Sequence, residues 1–175
     1  VAGAPAQTAK LVQSGNSVLI LGAAGKSGTL CCYEASKRVG PTGRVVGLVY
    51  SEAEKTDLQA IGACDEIILA DATKPVDVLE KSLAANHGEE YDISICCVNV
   101  NSCEMSAILP VKDDGTVYFF SMATSFTKAA LGAEGCGKDI NMIIGNGDTK
   151  GHAEITLNEL RENEKIREMF DKKYL

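Results

Sequence analysis

The chain has 175 residues, 45% of them hydrophobic and 23% charged, with a formal net charge of −7. That is enough for one domain with a sizeable core, and Lys and Arg scattered among acids exclude a nucleic-acid surface built on a basic patch. No apolar run reaches the length of a membrane span, and residues 1–7 lack the basic-then-apolar order of a signal peptide, so a cytoplasmic protein without membrane or nucleic-acid partners is expected.

Residues 1–15 read as a leading helix or hinge, and the absence of an initiator Met suggests an N-terminus that is cut or unseen. An unbroken apolar run ending in Gly follows at 18–22, then a helical stretch at 28–39 stopped by Gly40 and Pro41. The pattern repeats. A run at 45–49 precedes a helix at 52–61 closed by Gly62, and a run at 66–70 precedes a helix at 75–86. That helix starts on Pro75 and keeps Val78, Leu79 and Leu83 on one face. Runs at 93–98, 116–120 and 141–144 are separated by shorter helical stretches at 102–109 and 124–131. A helical tail at 151–170, broken near Asn163, closes the chain.

Continuous apolar runs, rather than alternating ones, suit strands buried on both faces of a parallel sheet. Six such strands joined by crossovers predict the α/β class: a doubly wound, Rossmann-type parallel sheet of order 3-2-1-4-5-6 in a single domain. The expected organisation is a leading segment at 1–15 from a missing catalytic domain, a dinucleotide-binding domain at 16–147 and a closing tail at 148–175. Of the seven Cys, two adjacent pairs, Cys31 with Cys32 and Cys96 with Cys97, fall within apolar runs. With no C-x-x-C spacing and only two His, core-filling reduced thiols are expected rather than a disulfide framework or a metal site.

The loop after the first strand, GAAGKSG at 22–28, lies between strand and helix, where a dinucleotide fingerprint belongs. Counting back from Gly28, Gly25 takes the second glycine position and Ala23 the first. Gly25 would let the backbone approach a pyrophosphate, Gly28 would allow close helix–sheet packing, and free N–H groups at the helix start would face the phosphates. A tight turn without ligand is the plain alternative. Gly25, Lys26 and Ser27 also imitate the end of a P-loop, but that motif needs Gly where Ile20 stands, so a kinase or ATPase is a distant second.

The tip of the second strand should meet the adenosine ribose. Tyr50 and Ser51 occupy it, with Glu52 just beyond. Glu52 could hold a 2′-hydroxyl, or Ser51, with Lys55 near it, could hold a 2′-phosphate, so NAD and NADP both stay open as the cofactor; a helix cap with a first-turn acid is the other reading. Asp71 opens the turn after the third strand, on the adenine side. Asn99 follows the fourth strand, Ser121 and Met122 the fifth, and 145–147 (Gly-Asn-Gly) the sixth. Strand ends of this kind converge on the nicotinamide half and suit a carboxamide and a ribose, though ordinary turns would look the same. No catalytic set emerges. His87 sits in a helix-ending turn, His152 opens the last helix as a surface cap, and the acids from Glu154 to Asp171 mix with Lys165 and Arg167 as a solvated face.

Five stretches carry a family resemblance: VLILGAAGKSG at 18–28, GLVYS at 47–51, ADATKPV at 70–76, YFFSMATSFTKAALGAEG at 118–135 and KGHAE at 150–154. With Gly15 ahead of the first, they resemble the cofactor domain of the medium-chain dehydrogenases, and within them the amino-acid dehydrogenases of anaerobic lysine fermentation that act on L-erythro-3,5-diaminohexanoate. The resemblance implies oxidative deamination to 5-amino-3-oxohexanoate and ammonium with a nicotinamide cofactor. It places Gly22, Ala23, Gly25, Lys26, Ser27 and Gly28 at the pyrophosphate and Tyr50 and Ser51 at the adenosine ribose. It also implies a catalytic domain preceding this region, a small amino-acid substrate, and a homodimer paired along the sixth strand. The catalytic residues stay unknown, and the fragment alone is expected to be inactive. A dinucleotide-binding regulatory module, or another dehydrogenase of the same group, would share these features.

Overall fold

The computed structural model describes residues 1–145 and 147–175; the expected 145–147 turn therefore includes one residue, Asn146, outside the described set. A short helix α1 (Gly3–Leu11) leads into β1 (Ser17–Leu21) and α2 (Lys26–Val39), followed by β2 (Arg44–Val49), α3 (Glu52–Ile61), β3 (Glu66–Leu69) and α4 (Pro75–Ala85). The second half runs β4 (Tyr91–Cys96), α5 (Glu104–Ile108), β5 (Val111–Phe119), α6 (Phe126–Cys136), β6 (Asn141–Ile144), α7 (His152–Glu162) and α8 (Glu164–Tyr174). All five strand pairings are parallel and the order is β3-β2-β1-β4-β5-β6, the predicted doubly wound sheet.

Alternate residues of each strand feed two cores, one on each face of the sheet. Val18, Ile20, Val45, Val49, Ile93, Ile95 and Tyr118 pack with α1, α2 and the C-terminal Ile166 and Met169. Leu19, Leu21, Val46, Leu48, Val117 and Phe119 pack with α4, α5 and α6 residues such as Val78, Ala107 and Ala129. This double burial is the reason the strands read as unbroken apolar runs. The reversal of strand order between β1 and β4 opens a crevice at the carboxyl ends of these strands, where doubly wound sheets bind ligands.

Several elements are shifted from their expected bounds, β4 to 91–96 and the start of α2 to Lys26 among them, and β5 and α6 are extended the most. β5 begins at Val111, not 116, because Val111 already pairs with Tyr91 before a register shift; Lys112, Asp113 and Asp114 in between are exposed, which hides the strand from an apolar count. α6 runs on to Cys136 rather than ending at 131. Gly132 is a close approach inside the helix, since a Cβ there would lie 2.3 Å from the Met105 sulfur, and the helix ends at Gly137 with φ 67°. The tail divides at Asn163 as expected, where the Asn163 side chain accepts from the Ile166 N–H and starts α8, and it runs on to Tyr174.

Candidate functional site

The β1–α2 junction is shaped by two glycines. Gly22 takes φ +72°, and a Cβ there would press on the Cys97 and Val98 backbone at 3.0 Å. Its N–H and that of Ala23 both donate to the Leu48 carbonyl at 3.1 Å, tying the turn to β2. The tight-turn position is thus Gly22, not Ala23 as the glycine count suggested; Ala23 is buried beneath the loop, where its carbonyl accepts from the Thr29 hydroxyl at 3.2 Å. Gly28 is a contact point, because a Cβ there would lie 2.0 Å from the Gly22 carbonyl oxygen. Gly25 differs from both. It is exposed, has an ordinary φ of −77°, and a Cβ would find only the Gly22 carbonyl at 3.4 Å.

Gly25 is the N-cap of α2 and supplies no side-chain cap. The first bond of the helix runs from the Thr29 N–H to the Gly25 carbonyl at 3.0 Å, so the N–H groups of Lys26, Ser27 and Gly28 are not used within the helix. With the helix dipole, they make this helix start chemically suited to an anion. The Lys26 side chain turns toward the C-terminal helix, where its ammonium lies 4.2 Å from the centroid of the Tyr174 ring.

This loop edges a cleft of about 520 Å³ lined by Gly22, Ala24, Gly25, Leu48, Val49, Tyr50, Glu54, Ala70, Asp71, Ala72, Thr73, Cys97, Val98, Asn99 and Val100. Of the expected site residues, Gly22, Gly25, Tyr50, Asp71 and Asn99 are in its wall, while Ala23, Lys26, Ser27, Gly28, Ser51, Ser121 and Met122 are not. Ser121 accepts from the Ala123 N–H at 3.1 Å in a turn past β5, and Met122 beside it is 99% exposed. The apolar part of the wall, from Leu48 and Val49 to Ala70, Ala72 and Val98, suits a flat heteroaromatic ring.

The acid of the second strand's end is not where the sequence placed it. Glu52 is exposed and outside the wall, and Lys55 faces a different groove with Gln59, Asp65 and Glu66. Glu54 lines the cleft instead. Its Oε2 accepts from the Tyr50 N–H at 2.8 Å and the Ser51 N–H at 3.1 Å, while the Ser51 hydroxyl accepts from the Glu54 N–H at 3.2 Å. This is a capping box, and the S-x-x-E spacing from Ser51 to Glu54 was its legible signal. Across the cleft, Asp71 accepts from the Thr73 hydroxyl at 2.6 Å and the Thr73 N–H at 2.9 Å, and those bonds hold its carboxyl below the usual range.

Proton-transfer chemistry is not built here. The Cys97 thiol in the wall is raised well above its ordinary value by hydrogen bonding with Cys31 and by burial, so it is not a ready thiolate. The His152 ring nitrogen Nδ1 lies 3.0 Å from the Thr149 carbonyl in the turn before α7, and His87 is an exposed residue with φ 57° after α4. Among the described residues no group of three or more His, Cys, Asp or Glu is placed to hold a metal ion, and no helix is long and apolar enough to cross a membrane.

No protein-family model matches the chain. It is 72% identical over all 175 residues to the L-erythro-3,5-diaminohexanoate dehydrogenase of Acetoanaerobium sticklandii, and 62% identical over the same length to the enzyme of that name from Fusobacterium nucleatum. Both are dehydrogenases of the kind the sequence resemblance implied. The chain spans about half the length of these curated relatives, 51% in each case. Among solved structures, the zinc-dependent alcohol dehydrogenase 2 of Streptococcus pneumonia matches with a TM-score of 0.70 at 17% identity, covering 95% of this chain and 48% of that one. A mycobacterial protein solved in complex with NADPH matches with a TM-score of 0.62 at 14% identity, covering 98% of this chain and 53% of that one. These likenesses are of fold.

Proposed function

We propose that this chain is the dinucleotide-binding portion of an NAD(P)-dependent dehydrogenase that oxidatively deaminates L-erythro-3,5-diaminohexanoate to 5-amino-3-oxohexanoate and ammonium. The observation that carries the cofactor reading is the uncapped start of α2, with Gly25 opening onto a 520 Å³ cleft at the sheet's switch point. The substrate is supported by the 72% identity to a named relative. When bound, the nicotinamide supplies a hydride acceptor for the amine-bearing carbon of the substrate.

The residues of this chain bind and orient. The N–H groups of Lys26, Ser27 and Gly28 would receive the pyrophosphate, which approaches over Gly25 because no side chain stands there. The apolar strip from Leu48 to Val98 would take the adenine, with Asp71 beside it and Tyr50 and Ser51 near its ribose. Asn99, with Ser121 and Met122 past β5, would face the nicotinamide half. Acid–base groups would come from the part of the relatives' length that this chain does not span, which is also where a catalytic domain ahead of residues 1–15 belongs. In this reading the domain occupies 16–147, the tail 148–175 braces it, and the protein works in the cytoplasm.

A homodimer joined along β6 is part of the same proposal. Among the described residues β6 pairs only with β5, and Ile144 at its end is 50% exposed, which leaves an edge for pairing. A monomeric mass by light scattering at high concentration removes this part. The cofactor reading is tested by calorimetry with NAD⁺ and NADP⁺; a wild-type chain that binds neither overturns it. The substrate reading is tested with the full-length protein, 3,5-diaminohexanoate and each cofactor, and absence of nicotinamide reduction with both overturns it.

A further inference from the structure

Glu104, the first residue of α5, is a buried charge outside the cleft wall. It is 4% exposed, and no Lys or Arg pairs with its carboxylate among the described residues. Taking a carboxylate out of water without a cation is unfavourable, and the start of a helix offsets only part of that cost. A residue of this kind is expected where its hydrogen bonds hold something in place.

The carboxylate spans two segments. Its Oε1 accepts from the Ser125 N–H at 2.9 Å. Ser125 is the N-cap of α6, so that N–H has no acceptor inside the helix. A second link runs the other way. The Ser125 hydroxyl accepts from the Lys128 N–H at 3.3 Å, and the Lys128 ammonium crosses back to the Ser102 hydroxyl at 3.2 Å. Ser102 is held at φ 68°, a left-handed conformation uncommon for a residue with a side chain. Behind both links, Gly132 of α6 lies against Met105 of α5. The joined segments are those that follow β4 and β5, neighbours in the sheet. The sheet ladder between them stops at the Phe120 N–H bond to the Cys96 carbonyl at 2.9 Å, and beyond it side chains set the spacing. The same segments carry Asn99, Ser121 and Met122, which would face the nicotinamide half in the reading above.

We infer that Glu104 is a positioning residue for the nicotinamide end of the cleft: by accepting from the Ser125 N–H it fixes the segment after β4 against the segment after β5. The inference rests on the dinucleotide reading above. It is tested on the full-length protein by calorimetry with NAD⁺ and with ADP-ribose, which lacks the nicotinamide; if NADP⁺ binds more tightly, NADP⁺ and 2′-phospho-ADP-ribose are used. Glu104→Ala removes the acceptor, and Glu104→Gln keeps an oxygen for the Ser125 N–H. Glu104→Ala should weaken the dinucleotide about fivefold and leave ADP-ribose within about twofold, while Glu104→Gln should stay within about twofold of wild type for both. An equal loss for both ligands, no loss for either, or a Gln variant as impaired as the Ala variant overturns the role of Glu104 and leaves the cleft reading intact. A wild type that binds neither dinucleotide overturns both. Should Glu104→Ala not fold, Lys128→Met opens the exposed link to Ser102 without entering the core. It should weaken the dinucleotide about threefold with ADP-ribose unchanged, and an unchanged ratio of the two affinities overturns the inference.

Discussion

At the β2–α3 junction the chain closes a helix start with its own side chains, Ser51 capping the helix and Glu54 reaching back to the Tyr50 and Ser51 N–H groups. At the β1–α2 junction, across the same cleft, no side chain caps the helix, and Gly25 leaves the space in front of it empty. The chain caps helices readily elsewhere, with Ser125 at α6 and Asn163 at α8. In the proposed reading, an open start beside a closed one separates two tasks: α2 would offer donors to an anion, while α3 uses its donors internally and turns a carboxylate to the cleft. The first suits a pyrophosphate and the second a ribose.

The contrast breaks most completely at Gly28. A single methyl group there meets the Gly22 carbonyl at 2.0 Å, and the obstacle is backbone on both sides. Gly28→Ala should cost about 3 kcal/mol or more and remove cooperative folding or shift the melt far down; a native-like melt would mean that the loop can part from the helix. α2 also differs from α3 deeper in the fold. Its buried Glu34 ion-pairs with Lys37 and Arg38 and lies against Glu159 of α7, whose carboxyl oxygens are buried without a hydrogen-bond partner among the described residues. Burial first, then the Glu34 charge, push the Glu159 carboxyl up to about 9. Its folded-state value lies above its unfolded one, so the stability it supports is full below the ordinary carboxylate range and is lost progressively as pH rises toward about 9. Glu159→Gln should therefore stabilise the protein near neutral pH by on the order of 3 kcal/mol and flatten the loss toward alkaline pH. Thermal melts across that range check it, and parallel pH profiles for variant and wild type would refute it.

Gly25→Val sharpens the comparison without touching the core. Its Cβ has room, so the melt should stay close to wild type, while dinucleotide affinity should fall about 100-fold, roughly 2.7 kcal/mol. Calorimetry on the folded variant decides this, and unchanged affinity would remove the pyrophosphate from the α2 start. The smallest effect is expected at the closed junction. Ser51→Ala removes one acceptor of the capping box and should cost about 1 kcal/mol in stability. A loss of binding as large as that of Gly25→Val would show that the two junctions do not divide the work as described.

How much of this could be read in the residues follows from how local each signal is. The β1 run at 18–21 and the glycines after it are local statements, an apolar run bounded by a turn, and the strand order follows from repeating that unit. Glu54 was missed and Glu52 considered in its place because the choice depends on how the first turn of α3 folds back on Tyr50, although the S-x-x-E spacing was there to be used. The extension of β5 to Val111 was hidden because Lys112, Asp113 and Asp114 are exposed, and the pairing of Val111 with Tyr91 is invisible without the partner strand.

The sequence by itself determined the doubly wound sheet, its order, the position of the glycine loop between β1 and α2 and the resemblance to a diamino-acid dehydrogenase, because these depend on spacings within a few residues and on burial of whole runs. The tertiary structure alone decided that Gly22 rather than Ala23 makes the tight turn, that Gly132 lies against Met105, and that Glu34 meets Glu159 in the core. Each of these joins parts of the chain, or backbone dihedrals, that no local pattern specifies. Their energies come from steric contact and desolvation between elements, and those exist only once the elements have packed.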